Sequence, residues 1–482
     1  MNSKLYKYLV PVMLVTSFSG CELVDPTEVT NPNLTEEAIL ATSNPMSPWI
    51  RGIRRQLALV SNEHVVLTEI GSDNYENAQT FYNQNLDGLT IRPVDSDIND
   101  FQYSLGRLRE MADYGLNTIN EVDESTTPEQ IAELHFLKAY SFLLSGEYFS
   151  FLPVDPGGEP VEWPALLDSA IENFTLAEGS SDALIDAAAT LGKARANYKL
   201  GNQAEAVQAA EAAIVKDPDL IYYVEFDQTQ TPVNTAQTAM YDRGNFDDLQ
   251  VLPRLDFLDP KYYNRGPSEA SPVALFKIEE AHLIISEAQV ADSDLVGAGN
   301  TLKALVELVE SRETSSFDND QQDRTEREPG SRPDSTDIAV AASPEDPLVE
   351  GLVLYRKGEN INVPTISGTS VDKERIDASL GSIEEALELI YLMRQEIFIG
   401  EGRRLSDMGV RLVISEVEYL ANENIDEDHP GTKPVIPPFI DAIKDELDAF
   451  DYDQNAKTCI ITHNINKILS QNSSSDLVLP FH

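Results

Sequence analysis

The chain has 482 residues, 41% of them hydrophobic, which is enough for one large body or several packed units around a substantial core. Asp and Glu number 82 against 35 Lys and Arg, a formal net charge of −47. Such a surface repels phosphate backbones and excludes nucleic acid as a partner. The excess is spread along the chain, which suits either a hydrated surface adapted to high salt or attraction of cationic ligands, and the spread favours the salt reading.

The first 21 residues carry an address. Lys4 and Lys7 precede an apolar run from Tyr8 to Phe18, too short for a bilayer crossing, and Ser19-Gly20-Cys21 follows. Cleavage after Gly20 would leave Cys21 as an acylated N-terminus, so residues 1–20 are expected to be a lipoprotein signal. The only other cysteine is Cys459, which leaves Cys21 no partner once acylated. Residues 21–45 read as a tether with turns at Asp25-Pro26 and Asn31-Pro32.

A helical body is expected over 46–310. Trp49, Ile53, Leu57 and Val60 set a helical period in 48–67, and Leu105, Leu108, Met111 and Leu116 set another in 101–120. Between them, Asp73-Asn74-Tyr75-Glu76-Asn77 with Phe81 and Tyr82 breaks the period. Carboxylates and amides there can satisfy sugar hydroxyls while an aromatic face covers a ring, so Asp73, Asn74, Tyr75, Asn77, Phe81 and Tyr82 are ligand-binding candidates. The same residues could grip a peptide, or could simply pin the loop to the body.

Thr127-Pro128-Glu129-Gln130 has the pattern of a capping box and opens a helix running to Tyr148. Trp163 lies in what reads as an irregular stretch, a further ligand candidate. The segments 187–200 and 203–215, with Ala194, Tyr198, Ala206, Ala210 and Ala213 at facing positions around Gly201-Asn202, have the logic of a tetratricopeptide-like hairpin. Residues 217–274 are irregular and aromatic; Tyr262 and Tyr263 join the ligand candidates. Helical periods return in 275–290 and 298–309.

Residues 311–370 read as a variable, exposed loop region, and 371–482 as a C-terminal helical segment with its main helix at 383–399. Arg394, Glu396, Arg403 and Asp407 can interlock that helix end with the following turn, with Glu401 in the same stretch, and all five read as structural residues. No metal spacing, nucleophile elbow, phosphate loop or dinucleotide fingerprint occurs. Asn424-Ile-Asp-Glu-Asp428 offers oxygen ligands for a structural calcium, but it lacks EF-hand spacing and glycine and reads as a solvated charge run. No cofactor, metal or catalytic residue is assigned.

Four segments together resemble the SusD/RagB-like nutrient-binding lipoproteins of the outer membrane: the start ending at Cys21, Glu129 to Phe149 with its closing Tyr-Phe pair, Ala194 to Ile214 with Glu279 to Ala288, and Arg394 to Met408. In the last, Arg394, Glu396, Glu401, Gly402, Arg403 and Asp407 match the family pattern, while Leu405-Ser406 replaces its bulky aromatic region. The resemblance implies a mostly α fold with four tetratricopeptide-like units and large irregular binding loops. It also implies a surface-exposed, lipid-anchored position on the outer membrane and docking on a TonB-dependent, SusC-like transporter. The implied role is capture of a glycan or oligosaccharide without catalysis. Peptide binding and a secreted surface hydrolase are the alternatives, and two tryptophans are thin provision for a protein built on glycan stacking.

Overall fold

The computed structural model describes residues 40, 42–78, 83–227, 232–241, 248–262, 270–318, 330–355 and 360–482. Cys21, Phe81, Tyr82 and Tyr263, all assigned roles above, lie outside the described residues.

The architecture is mostly α and is organised as four successive helix pairs. Helices α1 (Met46–Ile70) and α2 (Ser96–Tyr114) form the first, α3 (Pro128–Tyr148) and α4 (Trp163–Ala177) the second. Helices α5 (Ala183–Lys199) and α6 (Gln203–Lys216) form the third, α7 (Glu279–Ala291) and α8 (Leu295–Ser311) the fourth. Each pair touches the next, through α2 on α3, α4 on α5 and α6 on α7, as stacked repeats must to bury their apolar faces. Three C-terminal helices close the body. Helix α9 (Lys373–Ser379) packs on α8, α10 (Ile383–Ile397) on α7, and α11 (Ile465–Gln471) on α10.

Local chemistry explains the pairs. The Thr127 hydroxyl accepts from Gln130 N at 3.3 Å and the Gln130 amide accepts from Thr127 N at 2.9 Å, so two otherwise orphaned donors at the start of α3 are satisfied. In the third pair Ala194, Tyr198, Ala206, Ala210 and Ala213 are all buried, the alanines letting the two axes approach. Gly192 does the same for α4 and α5: a Cβ there would lie 2.5 Å from the Phe174 ring. One continuous apolar core runs through all four pairs and into α10 and α11.

Three segments differ from the sequence reading. Val273–Lys277 is a buried strand paired antiparallel with Ile221–Val224, and α7 begins only at Glu279; a short apolar run fits either period until its partner is known. Trp163 is the first residue of α4 and not part of an irregular stretch. The 311–370 region contains strands, Thr314–Asp318 pairing with Asn360–Pro364 and Ala339–Ala341 pairing parallel with Thr458–Ile461. The latter sheet covers a second, small core of Ile338, Val340, Val353, Cys459 and Ile461.

Candidate functional site

The polar loop after α1 is an interior feature. Tyr75 starts a short strand paired with Leu249–Val251 and is 1% exposed. The Asp73 carboxylate accepts from Arg404 Nε at 2.5 Å and from Gln395 Nε2 at 3.0 Å. The Asn74 amide donates to Glu69 Oε2 at 2.8 Å and accepts from Gln395 Nε2 at 3.1 Å. The expectation of a stacking platform formed by Asp73, Asn74 and Tyr75 is therefore corrected: the polar groups of Asp73 and Asn74 are engaged by Glu69, Gln395 and Arg404, and burial leaves no face of the Tyr75 ring open. Asn77 is half-buried, and its side-chain amide has no hydrogen-bond partner among the described residues. Tyr262 is buried too, its hydroxyl donating to Gly400 O at 2.5 Å, so it offers no ligand face.

These groups sit at one edge of a buried ionic lattice centred on 394–407. Arg394 Nη2 meets Asp407 Oδ1 at 3.0 Å, and Lys199 Nζ of α5 reaches the same oxygen at 3.1 Å. Opposed by burial but outweighed by these two cations, the Asp407 carboxyl titrates well below its usual range. Arg195 of α5 bonds Glu147 of α3 at 2.6 Å and lies 3.9 Å from Glu280 of α7, to which Arg403 also donates. Glu401 joins Lys277 at 2.8 Å and Lys261 at 2.9 Å. Glu396 turns away and accepts from Thr369 and Ser370. The local interlock expected of Arg394, Glu396, Arg403 and Asp407 thus reduces to the Arg394–Asp407 pair, while Glu396 and Arg403 reach other elements. Gly402 makes the turn possible. Its φ is +73°, a Cβ would press within 2.8 Å of His64 and Thr68, and its N–H donates to Glu69 at 2.7 Å. Burial, with the Arg195 charge adding, pulls the His64 imidazole down to about 3 and keeps it neutral.

Concave surface occurs in several places, one of about 260 Å³ beside the end of α1 at Asn62–Ile70. A groove of about 300 Å³ runs between Trp163, Lys199, Arg411 and the C-terminal residues 475–480. Trp163 is half-buried there, but the Arg411 guanidinium sits 4.2 Å from its ring centroid and occupies one face. A smaller cavity, of about 120 Å³, lies between the turn Pro253–Leu258, the 340–352 segment, α10 and α11. Its wall includes Arg254, 8% exposed, whose side chain makes no hydrogen bond and no ion pair with any described residue. Burial outweighs the attraction of Glu396 and Asp73 and lowers the Arg254 pKa from its usual range. Sequence reading passed over this residue because a single arginine in an aperiodic aromatic stretch carries no signal. Tyr103, 64% exposed beside another concavity, is the aromatic ring most open to solvent near any of these surfaces and was likewise unmarked. Among the described residues no group of three or more His, Cys, Asp or Glu is placed to hold a metal ion.

No family model and no curated protein matches the chain by sequence. Solved structures do. A SusD superfamily protein from Bacteroides fragilis is similar at 15% identity and a TM-score of 0.51, over 80% of this chain and 100% of that one. A candidate sugar-binding protein from Bacteroides vulgatus is similar at 14% identity and a TM-score of 0.50, over 80% of this chain and 98% of that one. The four helix pairs, the closing C-terminal helices and this likeness over four fifths of the length give one conclusion: the chain has the fold of the SusD superfamily.

Proposed function

We propose that the chain is a surface lipoprotein of the outer membrane that captures a nutrient, a glycan or oligosaccharide, and passes it without catalysis to a TonB-dependent transporter. The observation that carries the reading is the SusD-like fold, shared over the whole length of a superfamily structure. The chain's own start supports it, since a charged, short apolar run ending at Cys21 fits acylation there. Among the described residues no helix is long and apolar enough to cross a membrane.

Copurification from solubilised membranes tests the partner, and titration calorimetry with glycan and peptide fragments, run with product analysis, tests capture against hydrolysis. Recovery of a transporter barrel with unmodified ligand is the expected result; turnover of the ligand would overturn it. The aromatic provision favours a small ligand or a peptide over a long polysaccharide. Trp49 is half-buried and donates its Nε1–H to Met111 O at 2.8 Å, and one face of Trp163 is taken by Arg411.

A further inference from the structure

Among the described residues Arg254 differs from every other deeply buried arginine in having no partner. Arg195 holds Glu147, Arg394 holds Asp407, Arg403 holds Glu280, Arg404 holds Asp73, and Arg332 bonds Glu76 and a backbone carbonyl. Arg109 lacks a carboxylate but donates to Val154 O, Pro153 O and Ser141. A guanidinium held in a cavity wall with no protein partner for its five donors presents them to whatever enters that cavity, which points to a group that arrives later.

The acidic residues beside it are already engaged. Asp346 accepts from Asn464 at 3.0 Å and from Lys467 at 3.3 Å, Glu388 accepts from Asn464 at 2.8 Å, and Glu396 is held by Thr369 and Ser370. They line the same cavity and leave Arg254 free. Arg375, on α9, also lines it; this residue is exposed, makes no side-chain ion pair with any described residue, and so marks the open side. The cavity of about 120 Å³ holds roughly four waters at 30 Å³ each, or one small planar head group with the remainder of a ligand leaving past Arg375.

We propose that the Arg254 cavity is a binding subsite for a carboxylate borne by the captured ligand, with Arg254 as the bidentate anchor and Arg375 as the outer contact. Planar guanidinium matches planar carboxylate through two parallel N–H···O bonds. A singly charged group also suits walls carrying Asp346, Glu388 and Glu396 better than a phosphate, whose second charge those side chains would repel. The carboxylate could belong to a uronic acid or to a peptide C-terminus; the shared chemistry is the anion. This subsite rests on the capture reading above and narrows its ligand class.

The test uses the full chain purified from membranes, with glucuronate and N-acetylalanine as carboxylate probes and glucose and N-acetylalaninamide as their neutral counterparts. Calorimetry or ligand-observed NMR should show saturable binding of at least one carboxylate and of neither neutral probe; which carboxylate binds identifies the source. Arg254→Met should weaken that binding at least about tenfold, and Arg375→Ala, a surface change that leaves the fold alone, by a smaller factor of about two to five. Neutral probes binding as well as the carboxylates, Arg254→Met binding unchanged, or no carboxylate binding at tens of millimolar would each overturn the proposal. If the transporter still copurifies in that event, only the subsite fails and capture stands; if it does not, the capture reading has failed separately.

Discussion

Arg394 and Arg254 are both withdrawn from solvent, and they teach opposite lessons about why a protein keeps a charge inside. Arg394 meets Asp407 at 3.0 Å and stacks over the Tyr198 ring at 5.1 Å, one knot in a lattice that joins α3, α5, α7 and α10. Arg254 lines a cavity, and its side chain makes no bond to any described residue. In the first region charge fixes how the repeats sit against one another. In the second it is held open. A buried pair adds little net stability over apolar residues of the same shape, yet removing one member is costly because the survivor stays desolvated. The lattice should therefore be fragile to single substitutions, whereas the cavity should tolerate them.

The largest effect should come from Arg195→Met. It strands Glu147 and leaves Glu280 with Arg403 alone, and should cost about 3–5 kcal/mol, read as a fall in denaturant midpoint at unchanged slope. A loss under about 1 kcal/mol would mean that the lattice relaxes around the gap, and the comparison with Arg254 would lose its force.

Next comes Glu287, a buried carboxyl without a cation of its own. Among the described residues it accepts only the Tyr198 hydroxyl, at 2.7 Å, and one of its oxygens has no partner there. Burial raises its pKa from 4.5 to about 7. The folded form then holds a proton that the unfolded chain has released between these values, so its contribution is full below about 4.5 and declines as pH rises towards 7. At 1.36 kcal/mol per pKa unit the loss is on the order of 3 kcal/mol. Glu287→Gln should flatten that part of the stability profile in urea melts collected from pH 4 to 8, and an unchanged slope would place the titration on another group.

Arg254→Met should change stability by no more than about 1 kcal/mol, in the direction of greater stability, because no partner is abandoned. A severe loss would show that Arg254 is a structural charge like Arg394 and would erase the distinction. The smallest effect concerns salt. Sodium chloride should raise the melting temperature modestly from low to molar concentration by screening repulsion among exposed carboxylates, while leaving the buried pairs untouched. A flat or falling melting temperature would count against an acidic surface adapted to salt.

What could be read from the sequence follows the range of the signals. Helices with strong local markers were legible: the Thr127–Gln130 box opens α3, and the alanines around Gly201 face one another between α5 and α6. Strand Val273–Lys277 was not, since five apolar residues declare no period until Ile221–Val224 lies beside them. The site suffered more. Asp73-Asn74-Tyr75 has the composition of a sugar-binding loop, and only the positions of Arg404 and Gln395, more than 300 residues away, reveal that its polar atoms are spoken for. Arg254 failed for the converse reason. Its importance is the lack of a neighbour, which no spacing encodes.

The reach of those contacts also sets the order in which the molecule can be assembled. Asp73 waits for Arg404 and Glu69 for Gly402, separations of 331 and 333 residues, whereas α3 to α6 pair with neighbours already made. A chain delivered N-terminus first to the place where it folds can close its middle repeats early, but the end of α1 holds uncompensated acidic groups until the 394–407 segment arrives. Until then the first repeat is a latch without its catch. Any truncation ahead of residue 404 would make that condition permanent, so the last fifth of the chain decides whether the first fifth is finished.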